Sequence, residues 1–287
     1  MGKIDSKAVG LDIGLSAVKF LTGSENLHYG IWDGLEVTAE NVGAAQTAYT
    51  DKLFELLPKT GPLAILDIGG GAGETAKKLI DLGHSVEIVV PSAFLAERCR
   101  EKCGPDTPVH EMMFEDFQTS KKFDICLFSE SFQYIPLDAS LPKARGLLNE
   151  DGRVIIADCF RKPAYYSPDR PSRVGGGWRY TQYREIIEAG DWEEEFFEDV
   201  TDKVAPSVQV EQDFFNVIGH AVTRVSAELA EHKPILFRIL RGVVKMALSE
   251  RRRAKLDERL NGQTRSAANF AALNTYIFTR LRPVSNP

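Results

Sequence analysis

Residues 63–83 of the 287-residue chain set an apolar run, a glycine loop and a run of helix formers back to back: Leu63 to Ile68, then Gly69-Gly70-Gly71-Ala72-Gly73, then Glu74 to Leu82 closed by Gly83. This order of strand, glycine loop and helix constrains the fold more than any other feature. Glycines let a backbone turn sharply and approach a ligand where a Cβ would collide, at the C-terminal edge of a parallel sheet. A lone glycine pattern is weak evidence, and its place between a strand and a helix strengthens it. A glycine-rich turn needed only for packing is the competing reading. The segment lacks the Gly-Lys-Ser/Thr ending of a P-loop, and the earlier Leu11-Asp12-Ile13-Gly14 lacks the following glycines.

Strand and helix signals alternate from Leu63 to Ala157, as a parallel sheet with crossover helices requires. Further strands are predicted at Ser85 to Val90, Val109 to Met113, Ile125 to Ser129, Val154 to Ala157 and Tyr276 to Leu281, with a helix around Leu95 to Lys102. The expected fold is α/β, a Rossmann-like doubly wound sheet of about seven mostly parallel strands. Helices predicted at Ile13 to Leu21 and Val42 to Leu57 give an N-terminal helical cap (1–58) before the core (59–202). A helical lid or substrate insert (203–272) then precedes a final core strand and tail (273–287).

Charge is distributed unevenly. Glu185 to Asp213 holds eleven acidic residues and one lysine, whereas His232 to Leu260 holds nine Lys or Arg against three acids. Within the basic stretch Leu236, Ile239, Leu240, Val243 and Met246 recur at helical spacing. The favoured reading is a lid helix packed on its own domain, ahead of one that binds a membrane or an acidic partner. A net charge of −6 argues against nucleic acid, which needs a concentrated basic surface. Cys99, Cys103, Cys126 and Cys159 show no zinc spacing and are expected as reduced, buried or half-buried thiols, so no metal is expected. With no apolar run long enough to span a bilayer, a cytoplasmic protein is expected.

Leu66-Asp67-Ile68-Gly69-Gly70-Gly71-Ala72-Gly73 resembles the first motif of the class I S-adenosylmethionine (SAM)-dependent methyltransferases. The resemblance runs from about Leu27 to Phe160 and rests on several segments in the right order. It implies SAM as cofactor, with Asp67 steadying the loop and Gly69, Gly71 and Gly73 along the methionine moiety. FDICLFSESFQYIP resembles the family's segment after the fourth strand, which implies Ser129 and Glu130 near the sulfonium and Phe132 to Ile135 facing substrate. LHYGIWDG resembles the N-terminal His-Tyr motif of small-molecule and cyclopropane-synthase-like members, whose aromatic residue, here Tyr29, covers SAM. Two departures stand out. Where the family has an acid for the ribose hydroxyls this chain has Val90 and Pro91, and where it has one for the adenine amino group the alignment places Met113 and Phe114. A shift of one or two residues brings Glu115 or Asp116 into the second position.

The candidate catalytic residues are Tyr29, Glu130, His28 and Tyr134. The cofactor residues are Tyr29, Asp67, Gly69, Gly71, Gly73, Val90, Pro91, Phe114 and Ser129, and the substrate residues Trp32, Gln133, Trp178 and His220. The loop Arg173 to Trp178 is either a substrate gate or a linker, and Phe214 and Phe215 form an aromatic wall that core packing would explain equally well. The expected activity is methyl transfer to a small-molecule acceptor, a secondary metabolite, lipid or isoprenoid-like compound. The alternatives are a SAM-using reaction without methylation, such as cyclisation within SAM, and a non-catalytic binding protein with a degenerate pocket. A homo-oligomer is left open.

Overall fold

The computed structural model describes residues 6–170 and 173–284. Two helices come first, α1 (Ser6–Thr22) and α2 (Val42–Glu55). Helix α2 buries Ala45, Gln46, Tyr49, Thr50 and Leu53, the one-face spacing of an amphipathic helix. There follow β1 (Ala64–Ile68), α3 (Glu74–Asp81), β2 (Ser85–Val89), α4 (Ala93–Cys103), β3 (Val109–His110), β4 (Phe123–Ser129), α5 (Leu137–Leu147) and β5 (Leu148–Arg161). The chain continues through α6 (Tyr180–Ile186), β6 (Trp192–Asp199), the long α7 (Thr201–His232), α8 (Pro234–Ala247), α9 (Glu250–Asn261), α10 (Ala267–Leu273) and β7 (Asn274–Pro283).

The seven strands form one sheet in the order β3-β2-β1-β4-β5-β7-β6. Pairing from β3 to β5 is parallel, and β7 runs antiparallel between β5 and β6. This is the Rossmann-like α/β architecture expected. Both faces are covered, so side chains alternate between two apolar layers. Ile125 and Leu127 of β4 pack in the layer with Tyr49 and Leu53 of α2, while Cys126 and Phe128 pack with Leu141 and Ala144 of α5. Strand order reverses between β1 and β4, which places the ligand crevice of such a sheet at their C-terminal ends.

Three elements depart from the sequence expectation. Strand β3 stops at His110, because a 3-10 turn at Phe114–Asp116 takes the chain away from the sheet. The acidic run contains β6, an edge strand without regular alternation because a bulge between Glu194 and Phe196 shifts its register on β7. Its carboxylates meet basic residues there: Glu195 pairs with Arg280 at 3.0 Å and with Arg153 of β5 at 2.8 Å. The basic helix α8 is not a lid packed on its domain, for none of its residues is buried and Ile235 and Met246 are 70% and 83% exposed. Cys99, Cys126 and Cys159 are buried and Cys103 half-buried, all as free thiols. Among the described residues no helix is long and apolar enough to cross a membrane.

Candidate active site

The glycine loop closes the C-terminal end of β1. Its shape comes from backbone bonds: Gly69 N–H donates to Val89 C=O at 2.7 Å, Gly71 N–H to Gly69 C=O at 2.7 Å and Gly73 N–H to Gly70 C=O at 2.9 Å. Gly69 has φ +79°, and a Cβ there would lie 2.3 Å from that of Ser131. Gly71 has φ +55°, yet a Cβ there would meet only Leu27, at 3.6 Å. Space at Gly71 is therefore kept open. Gly73 instead abuts Cys99 of α4, where a Cβ would come within 3.1 Å of the Cα, so it serves helix packing and not the cavity.

A cavity of about 450 Å³ lies over this loop, lined among others by Asp67, Gly71, Val90, Pro91, Phe114 and Ser129. Asp67 does not steady the loop through hydrogen bonds. Its carboxylate makes none among the described residues, Oδ2 is buried without a partner, and burial pushes the carboxyl up to about 7. Two other lining residues share this condition: Asn26 Oδ1 and Glu115 Oε2 are also buried and unpartnered. Glu87 is spent elsewhere, accepting from His110 Nε2 at 2.8 Å and pairing with Lys121. Phe114 packs edge-on against Phe128 with ring centroids 5.7 Å apart.

A second cavity of about 720 Å³ adjoins the first and shares with it Asn26, Leu27, His28, Glu130 and Tyr134. Glu130, at φ 54°, is the one non-glycine residue of positive φ among those described. A carboxylate held in this sparsely populated region marks a position that its surroundings over-determine. Its Oε1 accepts the backbone N–H of Tyr29 and the hydroxyl of Tyr276, each at 2.8 Å. Tyr276 OH in turn meets Tyr49 OH at 2.9 Å, and Tyr49 OH meets Ser129 Oγ at 3.2 Å. Burial, reinforced by nearby Asp158, pushes the Glu130 carboxyl up to about 8.

Tyr29 lines only the second cavity, its ring against Phe270 and Tyr276. His28 has both ring nitrogens engaged, Nδ1 with Tyr29 C=O at 2.7 Å and Nε2 with Thr50 Oγ1 at 3.4 Å, and stacks on Tyr49. Burial pushes its imidazole down to about 4, so it is neutral near pH 7. Trp32 lines the second cavity and donates from Nε1 to Ser207 Oγ at 2.8 Å. Gln133 lines it too, anchored by Nε2 to Asp158 Oδ1 at 3.0 Å.

Two expected substrate residues lie elsewhere. Trp178 belongs to the apolar layer on the α5 side, where its Nε1 donates to Ile135 C=O at 2.8 Å, and His220 is exposed on α7. The loop before Trp178 does reach the site, since Gly175, Gly176 and Gly177 line the second cavity with Phe214 and Phe215. Sequence reasoning missed Tyr49, Tyr276, Asp158 and Arg161. The last two follow the fifth predicted strand, at the sheet edge where ligands bind, and that position was the available signal.

Residues 65–152 match a methyltransferase domain family. The chain carries a class I SAM-dependent methyltransferase domain. It is 26% identical over 202 residues to the 27-O-demethylrifamycin SV methyltransferase of Amycolatopsis mediterranei (strain S699), covering 64% of this chain and 72% of that protein. An uncharacterized methyltransferase of Geobacillus thermodenitrificans (strain NG80-2) is 25% identical over 132 residues, 44% of this chain and 61% of its own. Among solved structures, the 4+2 cyclase SpnF superposes with a TM-score of 0.64 at 14% identity, covering 97% of this chain and 96% of that one. The geranyl diphosphate C-methyltransferase of Streptomyces coelicolor A3(2), solved with Mg2+, geranyl-S-thiolodiphosphate and S-adenosyl-L-homocysteine, gives 0.60 at 15% identity, covering 96% and 92%.

SAM is the cofactor of this methyltransferase domain, and the first cavity fits it. SAM brings an α-ammonium and an adenine amino group, which call for acceptors, and a sulfonium cation, which is favoured by nearby negative charge. The lining residues Asp67, Asn26 and Glu115 each hold a buried oxygen with no partner. Such groups cost about 1–3 kcal/mol apiece when left unsatisfied. The open space at Gly71 leaves the backbone accessible to the methionine moiety.

Proposed function

We propose that this chain transfers the methyl group of SAM to a small amphipathic acceptor bound in the second cavity. The observation that carries the reading is the common wall: Glu130, Tyr134 and the loop 26–28 border both cavities. SAM, when bound, supplies an electrophilic methyl group on its sulfonium. The protein has to place the acceptor atom in line with it and, for a hydroxyl or carbon acid, remove a proton.

In this reading Asp67, Gly69, Gly71 and Ser129 hold the methionine end. Pro91 and Val90 flank the ribose without a carboxylate, and Glu115, beside Phe114, accepts from the adenine amino group. Glu130 is the proton acceptor, because a carboxyl titrating at about 8 is matched to chemistry near neutral pH. His28 positions the 26–30 loop through its two hydrogen bonds, Tyr29 and Tyr134 flank the reacting atoms, and Trp32 and Gln133 border the acceptor. The acceptor class is supported by the apolar wall of Trp32, Phe214 and Phe215, and by relatives whose names specify a rifamycin and a prenyl diphosphate.

The structural likeness to a 4+2 cyclase favours one second reading, in which the same cavities serve a reaction without methyl transfer. Incubation with SAM and a panel of phenolic, carboxylic and isoprenoid acceptors separates the two. Methyl transfer yields S-adenosylhomocysteine in step with an acceptor heavier by one methyl group. A converted acceptor of unchanged mass supports the cyclase-like reading, and no affinity for SAM or S-adenosylhomocysteine overturns both.

A further inference from the structure

Arg161, the last residue of β5, lines the second cavity but not the first. Its side chain makes no hydrogen bond or ion pair among the described residues, and its Nε is buried without a partner. The guanidinium is held by the Tyr165 ring, 4.8 Å from its centroid, and Arg173 approaches the same ring at 5.6 Å. Arg179 stacks at 4.1 Å on the adjoining Tyr166. No carboxylate among the described residues forms an ion pair with any of the three. Glu211 and Arg265 line the same cavity, and Glu211 serves two arginines, Arg259 and, at 2.7 Å, Arg265, whose Nε is buried and unpartnered as well.

We propose that the acceptor carries an anionic group, a carboxylate or a phosphate, that seats on Arg161. The inference rests on the reading of the second cavity as the acceptor site. A planar guanidinium fixed on an aromatic face is pre-organised for such a group, and its attraction grows where water is excluded. The carboxylate of SAM is not this anion, because Arg161 does not border the glycine-loop cavity. The acceptor then lies with its charge at the end of β5, its apolar body against Trp32, Phe214 and Phe215, and its reacting atom near Glu130.

Calorimetry on protein saturated with S-adenosylhomocysteine tests this with decanoate, decyl phosphate and decanol as probes. At least one anionic probe is expected to bind tenfold or more tightly than decanol, with a preference that shrinks as salt is added. Whichever anion binds better identifies the headgroup. Arg161→Gln is expected to bring the anionic probes down to the level of decanol while leaving S-adenosylhomocysteine affinity unchanged, and Arg161→Lys to restore part of the preference. Equal binding of all three probes to the unmodified protein overturns the proposal, as does a preference that survives in Arg161→Gln. Failure of the protein to bind S-adenosylhomocysteine is a separate result, and it overturns the methyltransferase reading itself.

Discussion

The carboxylate of Glu130 accepts the backbone N–H of Tyr29 at 2.8 Å across 101 residues of chain, tying the N-terminal loop to the end of β4. The sequence places the Tyr29 hydroxyl and the Glu130 carboxylate at one sulfonium. In the structure the contact is made by the Tyr29 main chain, and the hydroxyl on Glu130 belongs to Tyr276. Coupling is therefore expected between Glu130 and Tyr276. A double-mutant cycle of Glu130→Gln and Tyr276→Phe, read in urea denaturation, should give about 0.5 kcal/mol or more, as for residues in one network. Glu130→Ala strands the Tyr29 N–H and should cost about 1–3 kcal/mol. Additive effects of the first pair would remove Tyr276 from the site.

The glycine loop permits a sharp contrast. Gly71→Val meets only Leu27 but places a β-branched residue at φ +55°, so it should cost some stability through backbone strain, leave a folded protein, and abolish SAM binding because the new side chain occupies the open space over the loop. Gly69→Val drives a branched side chain into Ser131 from a left-handed backbone and should lower stability as well. Thermal melts and SAM titration check both. Unchanged SAM affinity in folded Gly71→Val would take the loop out of the cofactor site.

The elements that were legible are those whose sequence obeys one period. Strands β1, β2 and β4 are mostly apolar, each interrupted by a single acid, Asp67, Glu87 and Asp124, and the glycine loop between Ile68 and Glu74 fixes the edge at which a ligand binds. Strand β6 was hidden because its bulge breaks alternation and its acids pair sideways with Arg153 and Arg280. In the site, Asp67 was readable from its place near the end of β1 and Glu130 from its place just after β4. Tyr276 and Tyr49 were not, since their contacts join residues 227 apart and no local pattern encodes a pairing at that distance. His28 was readable as part of a cluster, but its two hydrogen bonds depend on how the 26–30 loop folds back on α2.

The missing ribose acid can be restored at one of its two positions. Pro91 is exposed at the cavity, whereas Val90 is 2% exposed and belongs to the apolar layer. Pro91→Asp is expected to tighten SAM, a hydrogen bond to a charged group being worth about 1.5–3 kcal/mol, roughly tenfold or more in affinity. Val90→Asp is expected to lower the melting temperature first, because it buries an unpaired carboxylate. Calorimetry and melts of both variants decide this, and no gain in Pro91→Asp would mean that the ribose lies elsewhere.

Three buried carboxyls make the protein sensitive to pH. Asp67 and Asp158 are pushed up from 3.8 to about 7 and Glu130 from 4.5 to about 8, each mainly by burial. A carboxyl whose folded pKa is raised holds a proton that the unfolded chain has released. Its contribution to stability is complete below the unfolded value and is lost as pH rises through the folded one. The ligand-free protein should therefore lose stability from about pH 4 to about pH 8, and Asp67→Asn should flatten part of that slope. A bound sulfonium and ammonium favour the ionised forms of Asp67 and Glu130, so SAM binding at pH 7 should release protons. Calorimetry in buffers of different ionisation enthalpy measures that release directly. An enthalpy independent of buffer, or one unchanged in Asp67→Asn, would separate these carboxyls from the cofactor.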